Sequence, residues 1–500
     1  MSDEAREAVT ILNRLADELQ RREKTTRMRL DYYRGRHKLC YASPEFSDYF
    51  AERFKGFSDN WCAPVASAPA ERMTVQGIRI DDEDRQADQD LTRAWRMADC
   101  ERGSSEAFVV MLAASRAYSL VWGNPLDEDT PSVTWERPDQ AIVGYDSETG
   151  ARVAALKLWR DDTKEYATLY RPDFVWKFER STYAQSGVSV AGLIVPSEYS
   201  DRTHAGGGWN PRHGKQDDAW PIPNPLGVVP MVEMRNQTLL DDDPISDIDP
   251  VIAMQDAINL VWAYLLNALD FASLPQRVVM GADVPVVPVI DNNGNIIGDR
   301  PADLKMLIRE RILWLTGDAK IGNWPPANLA AFSDVIERAI EHLAAQTRTP
   351  PHYLIGKVAN LSAEALVSAE TGLVSKTNER ITYVQSSIRE NFALIASVRG
   401  EEAKAKACRS GTVMWADTQF RALGQRVDAL NKLKGMGFPT RWLAEQYGLE
   451  PQEVERVMEM IEEQAAMDPL GSVLGEKPSP APKSPPTARP GTDPFKLAGE

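Results

Sequence analysis

The stretch "VIAMQDAINLVWAYLLNALDFA", Val251–Ala272, decides how this chain is read. It is the most apolar segment of the sequence and about long enough to span a bilayer. Yet Gln255, Asp256, Asn259, Asn267 and Asp270 lie within it, and such groups are expensive in lipid. The reading that reconciles the two is a helix from Ser246 to Ala272, buried on most sides by protein. "SDIDP" opens it, with Asp249 as the expected cap and Pro250 in the first helical turn.

Further along, residues 328–346 read as a second helix, with Leu329, Phe332, Ile336, Ala339 and Leu343 on one side. A third runs from Ser362 to about Val398, with Leu366, Ala369, Leu373, Ile381, Val384, Ile388, Phe392 and Ile395 as its apolar stripe. At the standard rise it is roughly 55 Å long, an architectural strut. Thr377 interrupts its stripe and Gly372 is the expected bend. Between the first and second helices lies a small unit of β character, "QRVVMGADVPVVPVIDNNGNIIGD" (276–299) and "RILWLTGDAKIGNWPP" (311–326), with "DNNGN" as a turn.

The first half is mixed. Residues 4–34 form a helix with Ala8, Leu12, Leu15 and Leu19 on one face and Gly35 as its stop. More helix is expected over 45–73, 84–99 and 103–117, and strands over 75–80, 118–124, 132–138, 151–160 and 165–180. "YDSETGAR" (145–152) reads as a hairpin turn. Helices followed by a mainly antiparallel sheet define an α+β chain, not a βαβ repeat. Short helices are expected over 416–464, and the Pro-rich end after Met467 cannot build a core.

Five hundred residues are too many for one core and point to two to four structural units. A net charge of −16 argues against wrapping nucleic acid on an extended basic surface, though not against letting a polyanion pass without sticking. Cys40, Cys62, Cys100 and Cys408 never form a C-x-x-C and read as free thiols in a reducing compartment. The polar start "MSDEAREAVT" predicts no signal peptide.

Catalytic signatures are missing from the sequence: no G-x-S-x-G, H-E-x-x-H or G-x-G-x-x-G occurs. His204 and His213 sit nine apart in the Gly/Pro-rich loop 200–225, where histidines are ordinarily solvated, so no metal is assigned. Acidic runs at 81–84 and 241–243 read as solvated loops, although a magnesium-dependent, DNA-processing nuclease using them is the opposing reading. Ser362 near His352 is the one potential nucleophile pair, and Ser362 is better explained as the N-cap of the long helix. "GFPTRWLAEQYGLEPQEVERVMEM" (437–460) has a helix–turn–helix rhythm, with Gly448 in the turn. Its second helix is acidic and would repel phosphate, which favours helix packing over DNA reading.

Taken together, "DNWCAPVASAPAERMTVQGIRI" (59–80), "NPLGVVPMVEMRNQ" (224–237), "DPVIAMQDAINLVWAYLLNALDFASLPQRVVMG" (249–281), "WLTGDAKIGNWPP" (314–326) and "TRTPPHYLIGKVANLSAEAL" (347–366) carry a resemblance. The chain resembles the portal (connector) proteins of tailed bacteriophages, of the actinobacteriophage, SPP1-like type. The resemblance implies a ring, typically a dodecamer, at one capsid vertex of the virion, assembled in the host bacterial cytoplasm. Double-stranded DNA would be packaged and ejected through it without sequence specificity. The implied partners are the terminase large subunit, the head–tail adaptor, and the major capsid and scaffolding proteins, with no cofactor, no membrane and no catalysis. The implied parts are an N-terminal wing over 1–245, a first stem helix over 246–273 and a clip over 274–326. A second stem helix follows over 327–347, then a tunnel loop over 348–361, a long wing helix over 362–410, a crown over 411–467 and a disordered tail over 468–500. On that mapping Pro350 and Pro351 stop the stem helix, and His352, Lys357 and Asn360 in the tunnel loop are expected to face the DNA backbone.

Overall fold

A computed structural model describes residues 2–55, 57–81, 86–127, 129–181, 208–213, 219–240, 243–273, 277–280, 286–290, 296–301, 320–323, 329–350, 353–354, 363–419, 423–449 and 451–467. The chain divides into two compact units, Met1–Phe420 and Arg421–Glu500.

Helix α1, Asp3–Tyr33, starts at Ser2, whose hydroxyl accepts the amide of Ala5 at 3.2 Å. Its Ala5, Ala8, Leu12, Leu15 and Leu19 are buried, as the three-and-four spacing predicts. They cover one face of an antiparallel sheet together with Leu156, Leu158, Leu169 and Trp176. That sheet runs β4 (Ala141–Tyr145), β5 (Arg152–Arg160), β6 (Lys164–Tyr170), β7 (Phe174–Ser181) and β8 (Asn210–Pro211), with β9 (Ile222–Pro223) also on β7. The β4–β5 hairpin turns at Asp146–Gly150, where Gly150 takes φ +68°. A second sheet orders β10 (Met231–Arg235), β2 (Arg116–Trp122) and β3 (Ser132–Glu136). Val143, Ala155, Leu120 and Met231 form the small core between the two sheets.

The expected helix over 45–73 is two helices, α2 (Pro44–Arg53) and α3 (Cys62–Ala70). What splits them is the apolar helix α6, Ile252–Ser273. Gln255 accepts the Trp61 amide at 2.7 Å and donates to the Asp59 carbonyl at 2.5 Å. The Asn259 side chain accepts the Asp59 amide at 3.1 Å. Backbone groups between the helices are thus satisfied by side chains of α6 and need no helix of their own. The other two helices are also shorter than expected: α4 is Gln89–Met97 and α5 is Cys100–Ala114. Ser115 at φ +73° ends α5 and turns the chain directly into β2.

Helix α6 itself departs from expectation in two ways. Asp249 does not cap it: a short 3-10 turn, Asp249–Val251, comes first, and the Asp249 carboxylate instead takes Arg29 at 2.8 and 2.6 Å and the Ser246 amide at 3.1 Å. Nor is it buried on most sides. Gln255, Asp256 and Asn259 face inward, while Tyr264 and Leu269 remain 44% and 39% exposed. The span Asp249–Leu269 passes the length and composition test for a membrane helix, with only 39% of it buried within the chain. The polar seam is bonded to protein. Tyr32 donates to Asp256 at 2.9 Å, and Trp262 to the Asp59 carboxylate at 2.7 Å.

Helices α7 (Leu329–Thr347) and α6 pack on each other. Between them β11 (Arg277–Met280) pairs with β14 (Lys320–Asn323), and β12 (Val286–Ile290) with β13 (Ile296–Pro301). Helix α8, Ala363–Val398, is the 36-residue strut, and its Ile381, Val384, Ile388, Phe392 and Ile395 are buried in the main core. Trp95 stacks on Phe392 with centroids 4.6 Å apart. Ser119 donates to Asn391 at 2.6 Å and Ser387 to the Glu233 carbonyl at 2.8 Å, which tie α8 to the β10–β2 pair. After α9 (Glu402–Ser410), β15 (Thr412–Trp415) returns to pair with β1 (Val75–Arg79). In the second unit α10 (Leu423–Gly435), α11 (Thr440–Tyr447) and α12 (Pro451–Met467) follow, with Gly448 at φ +94° ending α11.

Replacing Gln255 with Leu keeps the volume but strands the Trp61 amide and Asp59 carbonyl. We expect a loss of about 2–6 kcal/mol, at roughly 1–3 kcal/mol for each of the two groups left unpaired. Urea unfolding of the two chains measures it; an unchanged midpoint would contradict the role given to the seam.

Candidate functional site at the loop between the helices

The sequence directs attention to residues 348–361. Of its four site residues, His352, Lys357, Asn360 and the cap Ser362, all lie outside the described residues. The structure does describe where the loop leaves α7, where α8 begins, and Tyr353 and Leu354 within it.

The exit from α7 is tightly made. Thr347 donates to the Leu343 carbonyl at 2.8 Å and shares a 3.0 Å hydroxyl contact with Thr349. Arg348 takes φ +55°, a left-handed turn usually given to glycine, and the Thr349 amide reaches back to the Ala344 carbonyl at 3.1 Å. A side chain there is strained, and an ion pair from Arg348 to Glu379 of α8 at 3.0 Å helps to hold it. Gly372 of α8 sits where Arg348 crosses; a Cβ there would lie 3.7 Å from the Arg348 backbone oxygen.

Behind this turn α8 buries charge. Lys376 and Arg380 are 3% and 5% exposed, and both reach Asp247, at 2.9 and 3.0 Å. The Asn236 amide donates to the same carboxylate at 2.8 Å. Burial pulls the Lys376 ammonium below its usual range, against the opposing pull of Asp247. Nearby, Arg72 bridges Glu370 of α8 at 3.3 Å, the Tyr353 hydroxyl at 2.7 Å and the Thr418 carbonyl at 2.9 Å. Arg72 and Tyr353 thereby fix the loop to the α8 side of the core.

Arg72, Arg348, Lys376 and Arg380 face Asp247, Glu370 and Glu379, four cations against three carboxylates. This arrangement holds no nucleophile–base pair. Its chemistry is mechanical: it pins both described ends of a loop to a rigid helix. Sequence reasoning missed these residues, though one signal was present. Glu370, Lys376 and Arg380 fall at or beside the positions that continue the Leu373–Ile381–Val384 stripe, as does the noted Thr377, which is fully buried and bonded to the Leu373 carbonyl at 2.8 Å. Charges placed on an apolar stripe announce buried partners.

The acids assigned to the opposing nuclease reading are placed only in part. Asp243 pairs with Arg116, which also pairs with the buried Glu233, while 82–84 and 241–242 lie outside the described residues. Among the described residues no group of three or more His, Cys, Asp or Glu could hold a metal ion.

A two-sheet α+β body, two packed long helices with a β insertion between them, and a pinned loop leading into a strut define a scaffold subunit. Residues 12–468 match the family described as "Phage portal protein, SPP1 Gp6-like", and the chain belongs to that family. It is 26% identical over 438 residues to the portal protein of Mycobacterium phage L5, covering 84% of this chain and 83% of that one. It is likewise 26% identical over 412 residues to the portal protein of Mycobacterium phage D29, covering 80% and 77%. Among solved structures it is similar to the neck of a native gene transfer agent particle computed with C12 symmetry, at a TM-score of 0.41 and 13% identity over 82% of this chain and 95% of that one. The neck of the empty particle, with C6 symmetry, gives 0.42 and 14% over the same shares. The family is a structural one, and the match gives the nuclease reading no support.

Replacing Asp247 with Ala leaves Lys376 and Arg380 buried without their shared carboxylate. Breaking such a cluster costs about 3–5 kcal/mol. We expect a lower thermal midpoint and earlier proteolytic cleavage within 348–361 than at other sites; uniform cleavage kinetics would contradict the pinning role.

Proposed function

We propose that this chain is the subunit of a homo-oligomeric ring, a dodecamer, set at one vertex of the phage capsid in the virion and assembled in the host bacterial cytoplasm. Double-stranded DNA passes through its channel into the capsid and later out of it. The ring docks the terminase large subunit during packaging and the head–tail adaptor afterwards, and contacts the major capsid and scaffolding proteins. It has no catalysis of its own.

The observation that carries this reading, beside family membership, is the bare face of α6. Its polar seam is spent on its own chain, and Tyr264 and Leu269 are left exposed, with Val335 of the adjoining α7 at 53%. A second copy is the partner of matching chemistry, since burying such side chains contributes about 1.5–3 kcal/mol each. In this reading α6 and α7 are the stem helices and the β11–β14 unit is the clip that meets motor and adaptor. The body before α6 is wing, α8 the long wing helix, and α10 to α12 the crown.

Residues 348–361 form the tunnel loop, and Lys357, His352 and Asn360 touch the passing phosphate backbone. One lysine per copy would give a thin positive collar in a chain of net charge −16. Such contacts are weak, salt-sensitive and indifferent to sequence, as a sliding polymer requires.

Two outcomes follow. Tyr264→Glu combined with Leu269→Glu should drop the sedimentation coefficient from that of a large ring to that of a monomer or small oligomer, with circular dichroism unchanged; an intact ring would remove α6 from the interface. Lys357→Ala should leave the ring intact and lower the yield of packaged DNA severalfold. Normal packaging would exclude Lys357 from the DNA contact.

A further inference from the structure

Residues 34–38 read "RGRHK", a dense basic run in an acidic protein. In the structure they line a cavity of about 520 Å³ between the end of α1, helix α2 and the seam face of α6. Arg34, Arg36 and Lys38 are exposed there, Ser47 and Ser58 add hydroxyls, Asp48 is the single carboxylate, and Leu39, Phe50, Phe54 and Phe57 form an apolar part of the wall. None of the three cations forms an ion pair among the described residues. Some guanidiniums of this chain are tied to acids, among them Arg29 to Asp249, Arg116 to Glu233 and Arg180 to Glu165. Three unpaired cations against one acid leave the cavity with a formal charge of +2.

The loop that carries them is built, not merely solvated. The Arg34, Gly35 and Arg36 amides bond back to the carbonyls of Leu30, Tyr32 and Asp31 at 3.0, 3.1 and 2.8 Å. Gly35 makes the turn at φ +67°, and the Asn60 amide locks the Tyr33 carbonyl at 2.7 Å beside it. The His37 ring stacks on Tyr32 with centroids 4.3 Å apart. Its Nε2 accepts from the 7%-exposed Asn259 at 2.8 Å, so the neutral ring carries its proton on Nδ1. The stack and the hydrogen bond fix the ring as a wall of the cavity, and burial lowers the His37 pKa against the opposing pull of Asp256 and Asp31. Backbone and ring are therefore set before any ligand arrives, and three long cationic side chains line a volume large enough for a tetrahedral anion.

We infer that this cavity is a binding site for a phosphate-class anion, held by Arg34, Arg36 and Lys38 and rimmed by Ser47 and Ser58. Guanidiniums match phosphate oxygens two at a time, and the lysine adds a point charge. The anion is either a phosphate of the DNA backbone or free inorganic phosphate; the first source, unlike the second, rests on the channel reading above.

The test uses the full chain, with a fluorescein-labelled 20-base-pair duplex followed by anisotropy and inorganic phosphate followed by calorimetry, each at 50 and 200 mM salt. The variant R34Q/R36Q/K38Q should bind at least tenfold more weakly. Its slope of log K against log salt for DNA should be smaller by about 2–3, at roughly 0.9 per lost phosphate contact. D48N, which removes the rim carboxylate without touching the folded backbone, should bind severalfold more tightly. An effect on DNA alone identifies the backbone as the ligand, and an effect on both probes identifies phosphate itself. Equal binding by wild type and both variants, or no binding of either probe by wild type at 50 mM salt, overturns the site. Native mass recorded on the same samples separates this from the channel reading: loss of the ring in wild type would sink that reading and leave the anion site standing.

Discussion

Everything in the main body leans on the hydrogen bonds that three polar side chains of an apolar helix make to the end of α1 and to the non-helical segment before α3. Gln255, Asp256 and Asn259 lie on one face of α6, and each finds a partner in residues 32–61. An unpaired amide or carboxylate buried there would cost several kcal/mol, so the helix can sit in only one rotation about its axis. That rotation fixes which apolar side chains turn outward. The polar seam thereby decides the helix's exposed face, and through it the surface on offer to another copy.

The strut α8 works by the same logic with charge in place of amides. Lys376 and Arg380 enter the core because Asp247 is already there, held by Asn236 and by its own backbone bond to Leu112. Ion pairs of this kind add little net stability over a well-packed apolar core, but they specify register strictly. One-residue slippage of α8 would unpair Asp247, Glu379 and Glu370 together. Both described ends of the loop after α7 are held by this lattice.

Much of the fold could be read from residue spacing, because α1, α7 and α8 carry three-and-four stripes in which Leu12, Leu15, Ile336, Leu343, Val384 and Ile388 are buried as expected. Errors arose where a tertiary partner overrode a local pattern. The run 45–73 looks helical, yet Gln255 and Asn259, some two hundred positions away, take its backbone bonds. Asp249 has the right identity for a cap, yet Arg29 claims it. Strands β4 and β10 are short and buried, with no alternation to mark them. At the site, Glu370, Lys376, Thr377 and Arg380 on or beside the α8 stripe were the one hint that buried polar groups break it. The anchor residues Arg72 and Asp247 lie a hundred positions or more from the loop and left no local trace. The tunnel-loop residues themselves came from family resemblance and not from any pattern in the chain.

The account stands or falls on whether α6 is an interface. The most direct measurement is the native mass of the purified full chain, with the same particles imaged. Twelve copies of 55.7 kDa come to about 668 kDa, and the account predicts a ring near that mass with an open centre and α6 between neighbours. A chain that stays monomeric or dimeric at high concentration would contradict it.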